Sequence, residues 1–485
     1  MSAKSGKPSK LEENDLSALG SWPAYAAREA VLRDLERAIA ATPEALDTRF
    51  YYASFLRDHG RFADALAVFE EILARAPAHT ETLVAYGVLL AYDGRRLDAR
   101  AAFERAVASD PAHRGALVNL ANQLTLDEPA RARELYAAAL ALDPACAPAH
   151  RGLCSLATAE GDMDAAARHR AAGYAAGPFG RRPYFGAAMP VAVLALVSTD
   201  GGNIPLAALL DERTYLVQEV YVEAYRGEPL PQHAFVVNAI ADVDRAPFAL
   251  ERAAEIARAA RRPVVNAPER VAASGRVANA ARFAQLEGVV APAARVVRRD
   301  APHAPALPAI LRVPGRHMGR AAVRVDDAAA FAAALATLPG RADPIAIDYV
   351  ETRSPDGAWR KYRVMTIDGA LYPLHLAIAH RWDVHYFSAA MGERADYRAE
   401  EARFLADPVA TIGAPAWAAL GRVRDVLGLD YAGVDFAVDP AGRVVVFEAN
   451  AAMTIIRPEN GDRFAYRTAA CDAIAAALTR MFRRI

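Results

Sequence analysis

Hydrophobic and small residues return along the first third of the chain with a long, regular period. Pro43, Pro77, Pro111 and Pro144 are spaced 34, 34 and 33 residues apart. In the same frame small residues recur at Ala53, Gly87, Ala121 and Cys154. Glycines follow at Gly60, Gly94 and Gly161, alanines at Ala65, Ala99, Ala132 and Ala166, and aromatics at Phe69, Phe103 and Tyr136. This pattern predicts antiparallel helix pairs over residues 46–175, with small positions allowing close approach and aromatics filling between neighbours. A preceding helix is expected over 24–41. The fourth unit departs, with Arg170 where an aromatic is due.

After "GPFGRRPYFG" (177–186) the period changes. "PVAVLALVS" and "HAFVVNAIAD" read as buried strands, "APFALERAAEIARAA" as a helix and "RRPVVNAP" as a strand and turn. Apolar strands alternating with helices imply a parallel sheet. Beyond Ala301 the strands shorten and alternate with polar residues: "PAILRVPG", "AAVRV", "PIAIDYV", "KYRVMTIDGALYPLHLAI". The Asp-Gly in the last of these predicts a hairpin.

The stretch "GVDFAVDPAGRVVVFEAN" (433–450) predicts a second hairpin, turning at "DPAG" with a loop of about four residues. With Val438 opposite Arg443, alternation puts Asp435, Ala437, Val444, Val446, Glu448 and Asn450 on one face. Asp435 and Glu448 then become diagonal neighbours about 7–8 Å apart. Two such acids repel unless something positive lies between them. Hard oxygen ligands at that separation suit Mg²⁺ shared with a phosphate, and a solvated edge with ordinary surface acids is the alternative. A register slip of one residue breaks the constellation.

Composition narrows the picture. At 485 residues the chain exceeds a single core. A net charge of −1 gives no global field for nucleic acid or an anionic membrane. Cys146, Cys154 and Cys471 lack disulfide or metal spacing, which fits a reducing cytoplasm. The longest apolar run, "MPVAVLALV", is too short to span a bilayer, and "MSAKSGKPSKLEENDL" is not a secretory leader. Lysine occurs only at Lys4, Lys7, Lys10 and Lys361, so Lys361 is the only lysine of the expected folded body.

The first third resembles the tetratricopeptide repeat, whose concave face implies a peptide or protein partner. Packing against the rest of the chain or a homodimer is the alternative use. Residues 188–485 resemble the ATP-grasp superfamily of carboxylate–amine ligases, of the glutathione synthetase and ribosomal-protein glutamate ligase type. "VVNAPERVAASGR" resembles the stretch entering the nucleotide site, and "AILRVPGRHMGRAAVRV" the strand, glycine loop and strand over the triphosphate. "IAIDYVE" resembles the adenine hinge, "RKYRVMTIDGALYPLHLAI" the strand with a phosphate-binding arginine, and 433–450 the metal hairpin. The expected fold class is multidomain: an all-α tetratricopeptide superhelix, an α/β domain, and an α+β ATP-grasp domain. The expected divisions are a disordered tail at 1–20, repeats at 21–176, a linker at 177–187, the α/β domain at 188–268 and ATP-grasp at 269–485, hinged near 348–350.

The resemblance implies ATP and Mg²⁺ as cofactors. Asp435, Glu448 and Asn450 become metal ligands. Asp348, Tyr349 and Val350 become the adenine hinge, and Gly315, His317 and Gly319 a lid. Arg276 and Arg312 stand where the family usually places phosphate-contacting lysines, and arginine binds phosphate bidentately with a different reach. Lys361 and Arg363, two apart on one strand face, become the catalytic cations. The family's "Asn-x-x-Pro-Gly" ending is here "NAAMTI". His375, His380, Arg381 and His385, in "HLAIAHRWDVHYF", are candidate substrate contacts, and "GERADYRAEEARF" is expected to be an exposed helix face. The implied reaction is ATP-dependent amide formation through an acyl phosphate, on a peptide or protein carboxylate with a small amine or amino acid. The alternatives are a phosphotransferase and a nucleotide-sensing scaffold.

Overall fold

The computed structural model describes residues 24–186, 188–314, 322–338, 342–385, 389–455, 457–458 and 463–485. They fall into two compact units. One runs up to Asp143 and includes Pro183–Val191 and Glu212–Tyr215; the other comprises Pro144–Arg182, Ala192–Asp211 and Leu216–Ile485. The expected tail at 1–20 and the lid residues Gly315, His317 and Gly319 lie outside the described residues.

The first unit is built of helix pairs. Helix α1 (Ala24–Ala41) precedes α2 (Leu46–Asp58) with α3 (Phe62–Arg75), α4 (Thr80–Tyr92) with α5 (Arg96–Ser109), and α6 (Arg114–Leu124) with α7 (Pro129–Leu142). The periodic positions form its core. Ala53, Ala65, Phe69, Ala99, Ala121 and Ala132 are fully buried, and Phe103 and Tyr136 nearly so. At Gly87 an aromatic enforces the small residue: a Cβ there would lie 2.6 Å from the Phe103 ring.

The stretch expected as a linker is structured. Phe185 packs edge-on against Phe62 and Tyr92 at 5.0 and 5.8 Å. Its earlier residues, Phe179–Arg181, form a strand of the second unit.

The last helix pair, α8 (Ala147–Glu160) and α9 (Met163–Gly173), belongs to the second unit. The departure at Arg170 is a change of partner. Its guanidinium ion-pairs with Asp200 in the loop after a strand, and Tyr174 packs on Tyr221 at 4.5 Å. A charged contact replaces the aromatic that would face another repeat.

The α/β part is a five-stranded sheet. It contains β1 (Phe179–Arg181), β2 (Val191–Val197), β3 (Tyr215–Tyr221), β4 (Phe235–Asn238) and β5 (Val264–Val265), in the order β1-β3-β2-β4-β5. The expected parallel pairing holds for β2–β4 and β4–β5, while β1 runs antiparallel to β3. Strand β3, whose apolar pattern is broken by Gln218 and Glu219, is a member the sequence pattern does not single out. Helix α10 (Pro247–Ala260) follows β4. Helices α11 (Pro268–Ala272) and α12 (Arg276–Phe283) lead to β6 (Val289–Val290).

Two mainly antiparallel layers follow, the second carrying β6 in parallel with its neighbour. Strands β7 (Ala294–Val296), β8 (Ala309–Arg312), β9 (Ala322–Val325) and β10 (Ile345–Asp348) pair in the order β7-β10-β8-β9. Helix α13 (Ala328–Thr337) closes their core through Phe331, against Leu311 and Val325. Strands β11 (Trp359–Ile367) and β12 (Ala370–Ala379) form the expected hairpin, with Asp368 and Gly369 at φ 52° and 73°. They join β13 (Tyr431–Val438), β14 (Val444–Asn450) and β6 in the order β12-β11-β13-β14-β6.

Helices α14 (Ala395–Ala406), α15 (Pro408–Ile412), α16 (Ala414–Leu427) and α17 (Thr468–Arg483) complete the unit. Helix α14 corrects an expectation. Its stretch is not an exposed face, because Tyr397 and Phe404 are buried and Glu401 fully so. The Glu401 carboxylate accepts from the Leu376 N–H at 3.1 Å, from Arg467 at 2.6 Å and from the Tyr466 hydroxyl. A fully buried carboxylate persists only with such partners. Among the described residues no helix is long and apolar enough to cross a membrane.

Candidate functional site

The β13–β14 register differs from the expected one by a residue. Val438 lies opposite Val444, not Arg443. The Asp439 carboxylate accepts from the N–H groups of Ala441 and Arg443 at 3.0 and 2.8 Å, and Gly442 takes φ 78°. Arg443 is thereby drawn into the loop. Val444 and Val446 consequently share a face with Phe436 and Val438, the reverse of the expected assignment.

The slip alone would put Phe447 opposite Asp435. A β-bulge prevents it. The register shifts between Asp435 and Phe436, Phe447 is left over, and Asp435 lies directly opposite Glu448, with Gly433 opposite Asn450. The two acids are therefore direct rather than diagonal neighbours, and the bulge restores their common face.

The freed Phe447 carbonyl accepts from Arg276 at 2.7 Å, and the same guanidinium lies 2.8 Å from the Glu448 carboxylate. The Asn279 amide donates to the Ala449 carbonyl at 2.9 Å, so the N-terminal turn of α12 is pinned to the bulge.

A second bulge occupies the same level. On β12 the register shifts beside Arg363, at Leu374, next to Pro373. Proline has no N–H to give, which suits an edge strand at a bulge. The result is a row across four strands: His375, Arg363, Asp435 and Glu448. All four line one cleft of about 400 Å³.

Charge is closely matched within that row. Arg363 grips Asp435 through Nε and Nη2 at 2.5 and 2.9 Å, and the Lys361 ammonium adds a third contact at 3.3 Å. Burial alone would raise the Asp435 carboxyl, but Arg363 and Lys361 outweigh it and hold the group far below the usual carboxylate range. Glu448 accepts from Arg276 and from Asn450, the latter at 2.9 Å. His375 is held well below the usual imidazole pKa, first by burial and then by Arg363. His385, which also lines the cleft, is lowered by burial and by Lys361 and Arg363.

The other candidates separate. Arg276 and Arg312 line the cleft, and burial lowers the Arg312 pKa. Asp348, Tyr349 and Val350 line it too, at the end of β10. There Asp348 pairs with Arg295, and the Arg324 guanidinium stands 4.0 Å over the Tyr349 ring. His380 and Arg381 do not join His375 and His385. His380 bonds the Tyr397 hydroxyl at 2.9 Å beside a separate surface depression, and exposed Arg381 pairs with Asp383. In the strand the side chains alternate, and beyond Ala379 the chain bends away, so proximity in sequence did not make one cluster.

Sequence reasoning missed Asp242, Asp244, Asn279 and Arg467, which also line the cleft. Asp242 and Asp244 follow β4, at the carboxyl ends of the parallel strands. The position of ligand crevices in such sheets was the available signal.

A Mg²⁺ ion at this hairpin would draw on Asp435, Glu448 and the Asn450 amide, a hard oxygen set suited to that ion. Among the described residues no three His, Cys, Asp or Glu side chains converge as a metal cage. Such a set is completed by phosphate or water oxygens, as is usual for magnesium.

A scan against known protein families finds no match for this chain. No curated protein is similar to it either. Solved structures similar to the N-terminal part of the chain include repeat proteins. MamA is 17% identical, covering 30% of this chain and 87% of its own, with a TM-score of 0.28. YrrB, described as a TPR protein with an unusual peptide-binding site, is 20% identical over 29% of this chain and 73% of its own, at a TM-score of 0.27. A tetratricopeptide repeat protein from Parabacteroides merdae is 16% identical, covering 32% and 61%, at 0.28.

Proposed function

We propose that the second unit is an ATP- and Mg²⁺-dependent ligase of ATP-grasp type, joining a carboxylate to an amine through an acyl phosphate. The observation that carries this reading is the row Arg363, Asp435 and Glu448 on three adjacent strands, with Arg276 and Lys361 beside it. It brings phosphate-binding cations and hard-metal carboxylates to one level of one cleft. The sequence resemblance to ATP-grasp enzymes supports the same reading.

In this scheme Arg276, Arg312, Lys361 and Arg363 bind and orient the phosphates, and Asp348–Val350 borders the base. Magnesium, held by Asp435, Glu448 and Asn450, would neutralise phosphate charge. The Arg363 and Lys361 contacts to Asp435 keep the buried acid compensated while the cleft holds no nucleotide. Phosphate oxygens then compete for the same cations, freeing the carboxylate. The protein's chief contribution is position and preorganised charge. The repeats hold a peptide or protein that carries one reacting group.

The test is ATP turnover by the full chain with pools of peptides and amines, followed by mass spectrometry of the products. A product heavier by the amine less water supports ligation. A phosphorylated product that accumulates and does not react with amines would replace ligation by phosphotransfer. ATP binding without any turnover would leave a nucleotide-sensing scaffold.

A further inference from the structure

We propose that Tyr431 is a positioning residue for the magnesium site, acting through the loop 451–454 that ties it to Asn450 and Glu448. The inference rests on the ligase reading, whose metal ligands it takes over, and adds a residue that touches neither metal nor substrate.

The backbone of Tyr431 is fixed from behind. The Asn266 amide donates to its carbonyl at 2.7 Å and accepts from its N–H at 2.9 Å, and the Asn266 N–H donates to the Asp430 carboxylate at 2.7 Å. Asn266 is 1% exposed and takes φ 53°, a left-handed conformation that asparagine tolerates and that these three bonds hold. The turn after β5 thereby sets the position of the first residue of β13.

The Tyr431 side chain reaches toward the cleft. Its hydroxyl donates to the Met453 carbonyl at 2.5 Å. Met453 lies across Gly433, where an added Cβ would stand 2.7 Å from the Met453 Cβ and Cγ. Gly433 is itself opposite Asn450 in the β13–β14 register. The chain leaving β14 is thus folded back over its partner strand, and Ala452, Met453 and Thr454 line the cleft. Tyr431 is 1% exposed and stands behind them.

That fold decides how Asn450 is presented. The Ala452 N–H donates to Asn450 Oδ1 at 2.9 Å, and Asn450 Nδ2 donates to Glu448 Oε1 at 2.9 Å. A peptide N–H can face only the oxygen of an amide, so Ala452 fixes which way round Asn450 stands. The nitrogen then supports Glu448, and the oxygen keeps a second lone pair for a cation. Turned over, the amide would aim its NH2 at the ion and its oxygen at a carboxylate, and both contacts repel. The Tyr431 bond falls one residue beyond Ala452 and holds the loop that aims this N–H. Outer partners of this kind orient metal ligands, and losing one typically lowers metal affinity about tenfold to a hundredfold.

The test is Mn²⁺ binding by the full chain with a non-hydrolysable ATP analogue, read by electron paramagnetic resonance, on wild type and Tyr431→Phe. The substitution removes one oxygen and keeps the buried ring. We expect the Mn²⁺ affinity to fall about tenfold. Binding of the analogue in EDTA, read by quenching of the cleft residues Trp359 and Trp382, should be equal in the two proteins. A lower Tm with unchanged Mn²⁺ affinity would make the hydroxyl a structural tie and overturn the proposal. So would an equal loss of Mn²⁺ and metal-free analogue binding, which would mean that the whole cleft had shifted. Failure of wild type to bind Mn²⁺ with the analogue would remove the metal site of the ligase reading and this proposal with it, whereas equal affinity in both proteins removes this proposal alone.

Discussion

Arg363 and Asp435 face each other across β11 and β13 and meet through two hydrogen bonds of 2.5 and 2.9 Å. The Asp435 side chain is 4% exposed and the Arg363 side chain 21%. Arg363→Gln would leave a buried carboxylate with Lys361 alone. We expect a loss of stability on the order of 3 kcal/mol, the usual cost of breaking a buried pair, measured by urea unfolding at neutral pH. Unaltered stability would show that Lys361 and solvent compensate Asp435 without Arg363.

Glu448→Gln should leave the fold intact and lower ATP turnover by about a hundredfold or more, as expected when a group acting on developing charge is removed. Electron paramagnetic resonance of Mn²⁺ with a non-hydrolysable ATP analogue should show weaker metal binding in parallel. Unchanged turnover at saturating Mg²⁺ would remove Glu448 from the metal site.

Lys361→Arg tests whether the site needs only a positive charge. The Lys361 ammonium is 3.3 Å from a carboxylate that Arg363 already holds by both oxygens. A second planar guanidinium does not fit that geometry as a compact ammonium does. We expect turnover to fall at least tenfold, about 1.4 kcal/mol in the transition state, with little change in Tm. Steady-state kinetics beside a melting curve decide it, and full activity would make Lys361 a bystander.

His375 sets a pH dependence. Its folded-state pKa lies well below that of a free imidazole, because burial and Arg363 disfavour the charged ring. The unfolded chain therefore binds a proton, near the reference pKa of about 6.5, that the folded chain does not. Stability from this group is fully present above that pH and is lost as pH falls below it toward the folded value. Asp435 has the same sign in a lower window, below about pH 4, where unfolded aspartate takes up its proton. His375→Gln should flatten the decline between about pH 6.5 and 5, measured by thermal melts across pH. An identical slope in wild type and variant would place the titration elsewhere.

Gly87→Ala should weaken the repeats. The added Cβ would stand 2.6 Å from the Phe103 ring, which is itself almost fully buried. Neither side can yield cheaply in a close-packed interior, so a loss of about 1–3 kcal/mol is expected. Pairing it with Phe103→Leu should recover part of the loss, and a strictly additive double variant would refute the contact as the cause.

The sequence by itself determined the helix pairs of the first unit, because their contacts are local and repeat every 34 residues or so. Ala53, Phe69, Phe103 and Tyr136 are buried as their spacing requires. It also determined the Asp368–Gly369 hairpin, since that turn depends on two adjacent residues. The meeting of Asp435 with Glu448 was legible only in outline. The expected register was off by one, and their alignment depends on a bulge at Phe447 whose carbonyl is taken up by Arg276, 171 residues away in sequence. Single-residue register shifts are set by such distant partners and by the Asp439 loop, and no local periodicity records them. The same holds for His375 and His385 keeping the cleft while His380 turns to Tyr397, for Glu401 buried against Arg467, and for Asp244 brought from the parallel sheet to the cleft wall. These placements arise where separate elements pack, and only the tertiary structure decided them.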